Sequence, residues 1–164
     1  MTGTVPAFGP ELGLKRLELL HELVPGARRV AYFGVKSADE IPAEVRTAAS
    51  RMGITLVDVD HGLPSIEAGL ARLERDRPDA LIAVSTVPLY PHQRAIVAFA
   101  ARSRLPDIYG FHEAVEAGGL ASFGGDTFDT WRRVARYVHR ILQGANAGDL
   151  PIDIVVQPRA FRRK

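Results

Sequence analysis

Short apolar runs suited to strands alternate five times with longer segments whose apolar residues recur at helical spacing. The runs are Val30-Ala31-Tyr32-Phe33, Ile54 to Val59, Ala80-Leu81-Ile82-Ala83-Val84, Leu105 to Tyr109 and Leu120 to Phe123. Between them, a helix from about Asp39 to Met52 turns Ile41, Val45, Ala48 and Met52 inward. A second, capped by Ser65, carries Ile66, Leu70 and Leu73, and a third over Gln93 to Ser103 carries Ile96, Val97 and Ala100. Strands that alternate with helices of this length build βαβ units, and βαβ units build a parallel sheet covered on both faces. The pattern predicts an α/β fold: a three-layer αβα sandwich around a mostly parallel five-stranded sheet, a flavodoxin-like lobe.

Two further helices bracket this unit. The first has Leu14, Leu17, Leu20 and Val24 on one stripe, with Lys15, Arg16, Glu18 and Glu22 off it, and Pro25-Gly26 ends it. The last, from about Phe128 to Gln143, places Phe128, Trp131, Val134, Val138, Ile141 and Leu142 on one face, and Trp131 has the spacing of a core residue. Residues 1–10 carry two prolines and two glycines and read as an extended lead-in. Ile152 to Val156 reads as one more strand, at a sheet edge.

With 164 residues, one hydrophobic core is expected. The net charge of +2 is too small for a nucleic-acid surface, so no nucleic-acid partner is expected. Arg159, Arg162, Arg163 and Lys164 supply the basic excess, which marks residues 159–164 as a basic tail. The chain contains no cysteine, which removes disulfides, iron–sulfur clusters and thiol catalysis. No apolar run approaches the roughly 18 residues of a membrane span. The first ten residues lack the basic and apolar regions of an export signal, so the chain as written is expected in the cytoplasm.

Catalytic motifs are scarce. Ser85 follows a strand, but its flanks lack the glycines of a nucleophile elbow. Gly34 stands alone where a dinucleotide loop needs three glycines. A phosphoacceptor receiver domain would need an aspartate where Ser85 stands. Asp58, Asp60 and His61 are the only sequence-close cluster of metal-ligand types, and they read as a solvated turn. No metal and no cofactor is expected. His112 beside Glu113 is the one acid–base pair at a strand end; a structural role and an enzyme's acid and base are both open for it.

Strand ends next to helix starts hold small ligands in open α/β sheets. The segment from Tyr109 to Gly124 has this form, and so does Ser85-Thr86 at the end of the central apolar strand. The candidate cleft is lined by Phe33, Gly34, Ser85, Thr86, Tyr109, Ser122 and Phe123. The Ser85, Thr86 and Ser122 hydroxyls would hydrogen-bond a polar ligand head, and the three aromatic rings would pack on its apolar part. A helix cap or turn is an equal role for Ser85-Thr86, and Asp126 reads as the N-cap of the last helix.

Several stretches carry a resemblance: Gly13-Leu14-Lys15-Arg16-Leu17-Glu18-Leu19-Leu20, Leu23 to Ala31, Arg104-Leu105-Pro106-Asp107-Ile108-Tyr109, Val115 to Leu120, and Ala135 to Ala145 continuing to Asp149-Leu150-Pro151. Together, over about residues 11–158, the chain resembles the ABC-transporter substrate-binding proteins of the tryptophan/tyrosine-binding type, with the periplasmic-binding-protein type I architecture. The resemblance implies two αβα lobes that clamp an amino-acid-like or aromatic ligand, perform no chemistry on it and deliver it to an ABC permease. It implies a periplasmic or lipid-anchored location for full-length relatives.

On this reading the chain is truncated to roughly the second lobe. Residues 11–125 form the ligand-binding lobe, and residues 126–158 form a return helix and strand that would pack on the first lobe. An uncovered return helix would expose Trp131 and Val138, so a homodimer through that surface is expected.

Overall fold

A computed structural model describes residues 3–6, 10–34, 40–59, 65–84, 86–125, 127–155 and 158–162. The chain runs β1 (Gly3–Pro6), α1 (Pro10–Leu23), β2 (Arg29–Phe33), α2 (Ala43–Arg51), β3 (Thr55–Val59), α3 (Ile66–Asp76) and β4 (Ala80–Ala83). It continues through α4 (Gln93–Arg102), β5 (Asp107–Tyr109), α5 (Glu113–Glu116), β6 (Ala121–Gly125), α6 (Thr127–Leu142), β7 (Ile152–Val155) and β8 (Pro158–Arg162).

Six strands form the main sheet in the order β3-β2-β4-β5-β6-β8. The first five are parallel, as the alternation of strands and helices dictates, and β8 joins antiparallel to β6. The reading of residues 159–164 as a tail is therefore corrected. Arg159 pairs with Gly124 and Arg162 with Ala121, so most of that segment is an edge strand of the main sheet. Ile152–Val155 belongs to a different sheet, a parallel pair with Gly3–Pro6, so the lead-in also contains a strand.

The sheet separates two apolar layers because successive strand residues point to opposite faces. Val30, Tyr32, Ala80, Ile82 and Ile108 pack with Leu17 and Leu20 of α1 and with Val45 and Ala49 of α2. Ala31, Phe33, Leu81, Ala83 and Tyr109 pack on the other face with Leu73 of α3, with Ile96, Val97 and Ala100 of α4, and with Ala114 of α5. β4 is buried along its whole length. Burying an aliphatic side chain such as Leu81 or Ile82 contributes about 1.5–3 kcal/mol, and β4 supplies one to each layer.

Local chemistry sets the helix ends. Ser65 caps α3 as its sequence position predicts, with Oγ accepting from the Ala68 N–H at 3.4 Å. α2 starts at Ala43 rather than near Asp39, directly behind Pro42, which has no N–H to give.

Arg16 departs from the expectation that it lies off the buried stripe. It is 5% exposed, and its Nε donates to the Phe123 carbonyl at 2.7 Å. Burial pushes its guanidinium down to about 10, while Tyr32 opposes that shift. The long arginine stem packs in the α1/β6 layer while its head reaches a backbone acceptor.

Trp131 is a second correction. It is 65% exposed, and Phe128, Val138 and Leu142 are exposed with it. α6 lies against β1, and much of its apolar stripe is exposed among the described residues.

Candidate functional site

In a doubly wound sheet, ligands gather outside the carboxyl ends of the strands where the strand order reverses. Here the reversal falls between β2 and β4, since β3 lies on one side of β2 while β4 and β5 lie on the other. Gly34 ends β2 at this point, with φ +110, a conformation that L side chains rarely adopt. A Cβ there would also meet the side chains of Leu89 and Val84.

The chain leaves β4 through Val84 and Thr86 into a tight helical turn, Val87–His92. Leu89 of that turn is buried, and Tyr90 projects at 46% exposure. Across from it, at the end of β5, Phe111 meets the Tyr90 ring edge-on, with centroids 5.3 Å apart and planes at 87°. Val84, Leu89, Tyr90, Gln93, Gly110 and Phe111 surround one concavity there. Oγ1 of Thr86 is shielded from solvent and has no hydrogen-bond partner among the described residues. The rim thus offers two rings, with the Thr86 hydroxyl buried behind the chain that leaves β4.

The expected site residues divide. Gly34 and Thr86 lie at the rim. Ser85 lies outside the described residues, as do Asp60, His61 and Asp126. Phe33 is corrected: it is fully buried in the layer shared with α4, so its ring cannot pack on a ligand, whereas Tyr109, 2% exposed in the same layer, also lines the concavity from below. The Tyr109 hydroxyl donates to Asp107 Oδ2 at 2.7 Å, and Asp107 Oδ1 accepts from the Leu120 N–H at 2.6 Å. Burial first, and then the Asp107 charge, push the Tyr109 phenol far above its ordinary value. Tyr109 is thus a structural strut.

Ser122 pairs with Tyr109 in the sheet and is 2% exposed, so its hydroxyl lies beneath the rim, without a hydrogen-bond partner among the described residues. Phe123 packs half-buried in the α1/α2 layer, where Arg16 holds its carbonyl. Gly124 runs so close to the Gly110 carbonyl that a Cβ there would collide with it.

His112 and Glu113 do come together. His112 Nδ1 lies 3.4 Å from Glu113 Oε2, with side-chain exposures of 15% and 21%. The His112 ring also lies 6.0 Å from that of Phe128. Glu113 opens onto a groove of about 590 Å3, lined as well by Tyr90, Pro91, Gln93, Arg94, Glu116 and Ala117. Tyr90, Phe111 and Gln93 were missed from sequence. The signal for Tyr90 was its place in the proline-bounded turn after the most apolar strand. Phe111 had an equivalent signal, two residues beyond β5.

A mostly parallel sheet covered on both faces is an αβα fold of the kind found in periplasmic-binding-protein-like structures. The family profile for ABC transporter substrate binding proteins matches residues 11–161, and the chain belongs to that family. No curated protein matches it significantly.

Among solved structures it is similar to a conserved domain protein from Vibrio cholerae O1 biovar eltor, with 20% identity over 98% of this chain and 54% of that one, and a TM-score of 0.78. The ABC domain from Streptococcus pneumonia in complex with L-Trp has 18% identity over 97% of this chain and 55% of that one, with a TM-score of 0.75. A 5-methylthioribose transporter solute binding protein from Thermotoga lettingae TMO has 17% identity over 94% and 54%, with a TM-score of 0.63. The chain spans about half the length of these proteins. At such identities the likeness is one of fold.

Proposed function

We propose that this chain supplies one wall of a solute-binding cleft, holding a small amino-acid-like or aromatic ligand by noncovalent contacts for delivery to an ABC permease. The observation that carries the reading is the Tyr90–Phe111 pair on the concavity at the strand ends. Rings on a concave surface suit a small ligand with an apolar body. The fold relative solved with L-Trp supports that ligand class.

The chain is read as a binder without catalysis. His112 and Glu113 pair with each other at 3.4 Å, and the family to which the chain belongs is a substrate-binding one. No helix among the described residues is long and apolar enough to cross a membrane; the family typically works outside the cytoplasm, and the same location is proposed for this protein. Calorimetric titration with tryptophan, tyrosine and a short amino-acid panel tests the reading. Saturable binding that Phe111→Ala weakens about tenfold, the scale of one lost aromatic contact, supports it. Silence across the panel contradicts it.

The bare apolar stripe of α6 favours a second property, self-association through that helix. Light scattering after size exclusion at micromolar concentration should give a dimer. A monomer that binds no hydrophobic dye contradicts this.

A further inference from the structure

Arginines and apolar side chains share α6 without mixing. Phe128, Trp131, Val138, Ile141 and Leu142 recur at helical spacing, and all five are exposed. Arg132, Arg136 and Arg140 stand four residues apart in a row on the other side, and each is exposed. Among the described residues none of these three has an ionic partner within 4.0 Å, whereas Arg133 pairs with Asp129 at 2.8 Å. Asp129 is the only acid on the helix. One side of α6 is therefore net positive and the other is bare apolar surface. The helix is not long and apolar enough to cross a membrane.

We infer that α6 docks on an anionic lipid surface, lying in its plane with the apolar stripe among the acyl chains and Arg132, Arg136 and Arg140 on the headgroup phosphates. A sharply two-sided helix with Trp, Phe and Leu on one face and arginines on the other has the composition of such interfacial helices. The Trp131 indole, apolar in body with one N–H donor, suits the boundary itself. Arginine stems are long and flexible, so their guanidinium groups reach phosphate oxygens while the apolar neighbours stay submerged. Charge decides the occupant. A second copy would cover the stripe but bring its own unpaired arginines, whereas an anionic surface satisfies both faces. Lipid and a second copy therefore compete for one stripe. This inference is independent of the solute-binding reading, whose rim lies at the strand ends.

Trp131 is the only tryptophan in the chain, so its fluorescence reports on α6 alone. Vesicles of phosphatidylglycerol and phosphatidylcholine in equal parts should carry the whole chain down in cosedimentation and shift Trp131 emission to the blue. The effect should saturate and weaken at high salt. Vesicles of phosphatidylcholine alone should bind at least about tenfold more weakly. Replacing the three arginines together, Arg132→Gln with Arg136→Gln and Arg140→Gln, should cost about as much on the anionic vesicles. Self-association in light scattering and the circular dichroism spectrum should survive that change, since the stripe is untouched. The comparison of the two lipids needs no variant. No cosedimentation with the anionic vesicles, equal binding to both kinds, or unchanged binding by the triple variant overturns the inference and leaves a second copy as the occupant of the stripe.

Discussion

Helices α1 and α6 are both amphipathic, yet they meet opposite fates. α1 lies on the main sheet and buries Leu17 and Leu20 almost completely, and even draws in Arg16. α6 separates its apolar and basic residues more sharply, yet leaves Trp131 65% and Leu142 81% exposed. An amphipathic pattern states which side chains would gain from burial; only the surface placed opposite decides whether they are buried. The sheet provides that surface for α1, and the two-stranded β1–β7 pair covers only part of α6.

Substitutions can break this contrast. Leu17→Ala leaves a cavity in a layer with no exposed wall and should cost about 2–5 kcal/mol in denaturant unfolding. A loss below about 1 kcal/mol would show that the α1 layer is loosely packed. Gly34→Ala forces a side chain into a positive-φ position and against Leu89 and Val84, and should cost about 1–3 kcal/mol. An unchanged melting temperature would mean that the rim backbone rearranges freely.

Asp79 lies at the opposite end of the strands, just before β4, where its Oδ2 accepts from the backbone N–H groups of Arg28 and Arg29 at 2.8 Å each. Those hydrogen bonds hold its carboxyl below the ordinary aspartate range. The charged form is favoured in the folded state, so its stabilisation is present above the unfolded pKa and fades as pH falls through the folded one. For this exposed group Asp79→Ala should cost under about 1 kcal/mol at neutral pH. The deficit should vanish in acid, and a pH-independent one contradicts the account. Smallest in stability is Trp131→Ser, within about 0.5 kcal/mol, although it should reduce self-association and dye binding. A large loss of stability would mean that α6 is covered after all.

Much of the fold was legible in the sequence because strand and helix periodicities are local. Five parallel strands, the Ser65 cap and the flanking helices follow from residue spacing. Partners chosen across long sequence separations were not legible. Arg16 reads as surface on its own helix, and only its carbonyl partner 107 residues away explains its burial. Pro158–Arg162 looks like a basic tail until β6 offers an open edge.

Strand ends were legible in the sequence, but which of their side chains face outward was not. Strand ends mark the candidate rim, but Phe33, the last residue of β2, is fully buried, and Tyr109, the last of β5, reaches the concavity only from the core side. The residues that face outward come just after, in turns such as the one that carries Tyr90.

The most direct test of solute binding at the switch-point rim is amide chemical-shift mapping of the isotopically labelled chain titrated with L-tryptophan. The account predicts saturable shifts clustered at Gly34, Thr86, Tyr90, Gly110 and Phe111, with α6 silent. Shifts confined to α6, or spread without saturation, would contradict it.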